Sequence, residues 1–201
     1  MRLSNLKLPL MLLALSTMCS PWISAGKVLQ MNLSQLTNNA EKIFRGTVLD
    51  MRTGTVDVGG GTLPTVTYVV QVTDGLKGTF KTVKSMQVAE ITMVGTIKQE
   101  QKRSGNFLHN SILPKMPRLQ VGAEYLLFCT QASSAGLCTT VGLGQGSFRI
   151  VNKNKSVTPV NEVNNIGLFR DMPQRSTHRD PSSITYSDLA SEIGTIIGGS
   201  K

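Results

Sequence analysis

Few side chains in this sequence could do chemistry by type and spacing. There are three cysteines and two histidines in 201 residues. Cys129 and Cys138 close a loop of about 10 residues, and an even pair in an oxidising compartment reads as a disulfide. Bridging them would add about 2–3 kcal/mol in the chain-entropy model. Two free thiols are the alternative; two cysteines fall short of the ligand set of a structural zinc. His178 lies near Asp180 and Ser182, the residue types of a hydrolytic triad. A triad is made by geometry rather than by neighbourhood in sequence, and this stretch is polar and proline-containing. An unrecognised hydrolase is therefore only the lesser alternative. No catalytic, cofactor-binding or metal-binding set is assigned, since His109 and His178 are too few and too far apart for a stable metal site.

Gly142-Leu143-Gly144-Gln145-Gly146 has the look of a phosphate-cradling loop. That use needs a helix immediately after the glycines, so that its N-terminus meets the phosphate. Ser147-Phe148-Arg149-Ile150-Val151 follows instead and reads as strand, so the glycines mark a bulge or sharp bend. Asn32-Leu33-Ser34 and Asn154-Lys155-Ser156 fit the glycosylation triplet, a pattern short enough to arise by chance.

The remaining chemistry is charge. The chain carries 21 Lys and Arg against 12 Asp and Glu, a formal net charge of +9. Lys98, Lys102, Arg103, Lys115 and Arg118 fall in one polar stretch, 95–120, in which Glu100 is the only acid. Long connections of this kind are often functional, and loops on a rigid scaffold are where binding residues collect. These five residues form a candidate binding loop for an acidic surface. A solvated connection without a partner is the other reading. Nucleic acid does not fit an exported chain with no recognition helix.

Export is read from the first 25 residues. Arg2 and Lys7 precede an apolar run over 8–15, and Ser24, Ala25 and Gly26 supply small residues for cleavage. The run is shorter than the roughly 20 residues a membrane span requires. Met18 ahead of Cys19 argues against lipidation. Cleavage would leave a mature chain of net charge +7, secreted or periplasmic, with no membrane span. An anionic envelope component or another exported protein is then the natural partner.

These residues need a scaffold, and strand signals dominate it. A short helix is expected near 33–40, with Ser34 as a possible cap. A strand over 42–51 leads to a flexible, glycine-rich loop over 53–64. Residues 65–73 alternate, with Val66, Tyr68, Val70 and Val72 on one side, as a half-buried strand does. A third strand covers 82–93. Strands over 124–130 and 137–141 form a hairpin that sets Cys129 across from Cys138, and 147–151 is a further strand. Residues 171–184 read as a linker. The end, 185–201, reads as an amphipathic helix capped by Ser187, with Leu189, Ile193, Ile196 and Ile197 in one stripe packing on the sheet. Five or six short strands imply a mainly β barrel or sandwich over 26–170.

One ordered set of motifs goes further. It runs Ala40-Glu41-Lys42-Ile43-Phe44-Arg45-Gly46-Thr47-Val48, then Val66-Thr67-Tyr68-Val69-Val70-Gln71-Val72 with Leu76-Lys77-Gly78, then Val121-Gly122-Ala123-Glu124-Tyr125-Leu126-Leu127. This order resembles the netrin-like modules, and within them the N-terminal domain of tissue inhibitors of metalloproteinases. Gly142 to Ile150 is also similar to the Gly-x-Gly-Gln-Gly-x-Phe-Arg-Val ending of a hairpin in a group of exported bacterial proteins. The resemblance covers about 40–151. It implies a five-stranded OB-type barrel used as a non-enzymatic binding module, with an exported metalloprotease as a possible target class. The sequence departs from the inhibitors at the N-terminal cysteine, since Cys19 lies in the signal peptide and the other inhibitor cysteines are missing. The fold therefore carries over better than zinc chelation does.

Overall fold

A computed structural model describes residues 29–99, 107–110, 116–153, 156–172, 181 and 183–199, with backbone alone at 97–99, 107–110 and 153. The expected signal peptide 1–25 with Cys19, the expected mature start at 26–28, His178 and most of the expected linker lie outside the described residues.

The sheet is built on one long hairpin. β1 (Lys42–Val58) and β2 (Gly61–Lys77) pair antiparallel along their whole length, from Ile43 opposite Lys77 to Val58 opposite Gly61. The stretch 53–64 is thus not a flexible loop. Gly59 and Gly60 take φ of 58° and 82°, the two positive angles that a two-residue hairpin turn needs and glycine supplies without strain. The expected third strand is two strands, β3 (Lys81–Val83) and β4 (Met86–Val94). Lys84 and Ser85 turn between them at φ of 48° and 67°, a tight turn with no glycine to announce it.

β5 (Thr96–Gln99) and β6 (Phe107–Asn110) form a separate hairpin inside the basic stretch, which is not structureless. β7 (Glu124–Cys129), β8 (Ser147–Lys153) and β9 (Ser156–Asn161) complete a seven-stranded sheet in the order β3-β4-β2-β1-β7-β8-β9. β9 lies beyond the last strand expected; Pro159 interrupts its pattern, and proline is tolerated there because β9 is an edge.

This is a mainly β fold, but not the expected closed five-stranded barrel. β3 and β9 end the ladder without meeting. Between β7 and β4 runs only the segment 138–141. It bridges to β7 at Cys129–Thr140 and reaches β4 through one backbone bond, Cys138 N–H to Thr92 O at 2.9 Å. One bond is not a strand ladder, so the sheet curls without closing.

Each face of the sheet has its own core. Phe44, Val48, Val66, Tyr68, Val70, Ile91, Met93 and Leu127 fill the inner face, capped by Met116 and Leu119. The alternation expected for 65–73 is thus observed. The outer face carries Ile43, Leu126, Phe128 and Phe148 under two helices, α1 (Leu33–Asn39) and α2 (Tyr186–Gly199). Asn32, not Ser34, caps α1: its side chain accepts from Gln35 N–H while Gln35 Oε1 accepts from Asn32 N–H, both at 2.9 Å. Thr185, not Ser187, opens α2, its Oγ1 accepting from Asp188 N–H at 3.3 Å. Leu189 and Ile193 are buried, with Ile196 and Ile197 packed beside them, so the C-terminal stripe docks on the sheet as expected.

Candidate functional site

The candidate loop residues do not form one described cluster. Lys98 stands on β5, its backbone opposite Leu108 of β6. Lys102, Arg103 and Lys115 lie outside the described residues. Arg118 is exposed on the segment that follows, between buried Met116 and Leu119. That segment is held firmly: Gln120 N–H donates to the Tyr125 hydroxyl at 3.1 Å, Gly122 N–H donates to Val48 O of β1 at 2.8 Å, and Val48 N–H donates to Ala123 O at 3.0 Å. Arg118 also acts on Glu162, whose carboxyl is raised by burial and partly drawn back by that guanidinium.

The backbone starts this stretch, with Lys98 on β5, from one end of the sheet. β7 pairs with β1 only over 42–47, and β4 pairs with β2 only over 65–71. Past the Gly54–Thr65 pair, where β4 also ends, the β1–β2 hairpin continues as a two-stranded ribbon, with Thr55 and Asp57 on one strand and Thr62 and Leu63 on the other all exposed. The β5–β6 hairpin leaves from the root of that ribbon, where Gly95 N–H donates to Pro64 O at 2.9 Å. Two hairpins therefore share one end. The ribbon's charges are matched locally, Arg52 to Asp50 at 2.8 Å and Asp57 to the Thr62 hydroxyl at 2.7 Å. The Asp50 carboxylate also accepts from the Met51 N–H, which covers one edge donor against strand addition.

Sequence reasoning missed a second constellation. Arg45 of β1 donates twice to Glu124 of β7, at 2.8 and 2.9 Å. Its guanidinium lies over the Tyr186 ring, 4.5 Å from the centroid, and the Tyr186 hydroxyl donates to Asp74 at 2.6 Å. Burial and the bond to Asp74 push the Tyr186 phenol well above its usual range, so it stays protonated. The hydrogen bond to Glu124 likewise raises Arg45. Every charged group here has its partner, so the cluster clamps the start of α2 to the sheet. Its hydrogen-bonded pairs are 79 and 112 residues apart, so no local motif could have revealed it.

The glycine-rich stretch 142–146 is a buried corner. Leu143–Gly146 form one 3-10 turn that leads directly into β8, so no helix N-terminus is available for a phosphate. A side chain at Gly146 would sit 2.3 Å from Val141 O. Gln145 accepts from Met31 N–H at 2.8 Å and donates to Leu29 O at 3.0 Å, fastening the incoming chain.

Cys129 is buried at the end of β7, and Cys138 is part-buried against the same inner core; both are thiols in this structure. Cys129 stands opposite Thr140, and Thr130 N–H donates to Thr139 O. Cys138 is therefore diagonal to Cys129 rather than directly across from it as the hairpin pattern suggested. Among the described residues no group of three or more His, Cys, Asp or Glu is placed to hold a metal ion, and no helix is long and apolar enough to cross a membrane. No protein-family model matches the chain, and no curated protein is significantly similar to it.

Proposed function

We propose that this chain is an exported, non-enzymatic binding module that meets an acidic partner with the hairpin end of its sheet. The observation that supports the reading is the shared root of the two hairpins at Gly95 and Pro64, from which β5, carrying Lys98, leaves beside a ribbon exposed on both strands. A rigid sheet presenting loops and hairpins at one end is a common design for recognition. The partner is another exported protein, and the netrin-like resemblance implies a metalloprotease among the targets. The chain's +9 formal charge favours a second reading, an envelope-associated protein whose basic loop holds anionic polymer.

The test replaces Lys98, Lys102, Arg103, Lys115 and Arg118 with serine. Retention on isolated envelope, and on protein captured from the native host, is measured at about 50 and 200 mM salt, where exposed charges are differently screened. Loss of retention together with loss of its salt dependence supports binding through this end. Retention on a protein but not on polymer separates the first reading from the second. Unchanged retention at both salt concentrations refutes both. Export is tested by mass spectrometry of the secreted protein: the expected N-terminus lies between Gly26 and Val28, and an intact Met1 or a lipid on Cys19 refutes it.

A further inference from the structure

We infer that Cys129 and Cys138 are a redox-responsive pair, and that joining them exchanges the hydrogen bonding of Cys138 to the Thr92 backbone of β4 for a covalent link to β7. The inference does not depend on the binding reading. Both side chains face the inner core. The pairing of Cys129 with Thr140 makes the two cysteines diagonal neighbours. Diagonal residues across antiparallel strands sit about 7–8 Å apart, whereas bridged cysteines usually have Cα atoms about 4.4–6.8 Å apart. Cys138 therefore has to move toward Cys129 for a bond to form. Its own N–H is the donor to Thr92 O at 2.9 Å, so that bond is the one put under strain. Thr92 lies three residues before Gly95, the root of the β5–β6 hairpin, so the change reaches the end of β4.

Burial sets the order of steps. Cys129 is 3% exposed and Cys138 only part-buried. The Cys138 thiolate attacks a small-molecule disulfide, forming a mixed disulfide and releasing one thiolate. The Cys129 thiolate then attacks Cys138 Sγ and expels the second. Two protein thiols and one disulfide become one protein disulfide and two small thiols, which carry away the two protons. Burial raises both thiols, and Lys42, opposite Cys129 on β1, pulls both back. The reaction accordingly quickens as pH rises.

The experiment uses the mature chain with oxidised glutathione. Peptide mapping should find an intramolecular Cys129–Cys138 bond. Hydrogen exchange should then be about five- to tenfold faster at the Cys138 amide, the donor of the lost bond, and at Thr92, whose backbone the Cys138 thiol engages, with the β1–β2 pairing over 65–71 unchanged. In Cys129→Ala the mixed disulfide should accumulate on Cys138, while in Cys138→Ala Cys129 should stay unmodified in the folded protein. Exchange over 65–71 reports whether each variant folds, and the wild-type measurement decides if one does not. Oxidation that leaves exchange at Cys138 and Thr92 unchanged, or no intramolecular bond in folded wild type, overturns the inference.

Discussion

Gly46 carries a sharp test of how β1 and β2 are fitted together. It lies where the register shifts between Arg45 and Gly46. A Cβ added there would stand 2.3 Å from the backbone oxygen of Gln71 and 2.8 Å from Val70 Cγ1. Real Cβ atoms essentially never come within 3.0 Å of another atom, so the strands would have to part by about 0.7 Å against a backbone atom that cannot rotate away. This happens next to Phe44 and Val48, both in the inner core. Gly46→Ala is therefore expected to cost about 2–4 kcal/mol, an overpacking penalty with part of a ladder bond lost. Gly61→Ala is the control. It lies in the same hairpin, at the start of β2, but nothing lies within 4 Å of its added Cβ and its φ is not in the left-handed region, so the change should stay within about 0.5 kcal/mol of wild type. Urea unfolding of both variants, followed by far-UV circular dichroism, measures the difference. A Gly46→Ala protein as stable as Gly61→Ala would show that the close approach of these strands is not what the glycine is for.

Two further outcomes follow from the polar contacts. Tyr186→Phe should cost about 1 kcal/mol in urea unfolding, the bond to Asp74, while Tyr186→Ala should cost about 2–3 kcal/mol by also removing the ring under Arg45; equal losses would refute the clamp. Glu162 has a folded pKa raised above its unfolded value by burial. Its proton-bound form stabilises the fold below the unfolded pKa, and that contribution is lost as pH rises through the folded pKa. Arg118→Ser removes the opposing cation, so carboxyl NMR titration should place Glu162 higher still, and a fall would refute the pairing.

The elements that the sequence revealed were those whose burial alternates within one strand or helix. Val66, Tyr68, Val70 and Val72 were legible because period two is a local signal, and so was the stripe Leu189, Ile193, Ile196 and Ile197. The turns were harder. Gly59-Gly60-Gly61 carried the right residues but was read as flexibility, although two glycines at positive φ between apolar strands make a tight hairpin. Lys84 and Ser85 gave no cue, because their left-handed angles are imposed by the pairing of Val83 with Met86. Pro159 hid β9, and α1 took its cap two residues ahead of Ser34.

The sites fared differently because their determinants are not local. Arg45 and Glu124 are 79 residues apart, and only the pairing of Arg45 with Leu126 on β7 brings their side chains together. Cys129 and Cys138 were visible as a pair, but their register was not: it depends on Thr130 facing Thr139, which no spacing announces. That two-residue difference changes the chemistry. A directly opposed pair would be a permanent staple, whereas a diagonal pair whose second member holds β4 can form its bond only by giving up another contact. The same geometry explains why the sheet stays open. Segment 138–141 is too short to pair along both β7 and β4, so it satisfies β7 first and reaches β4 once, at Thr92. With the contact to β4 resting on Cys138 and Thr92 among the described residues, joining the cysteines would act on the end of β4 from which the hairpin leaves at Gly95.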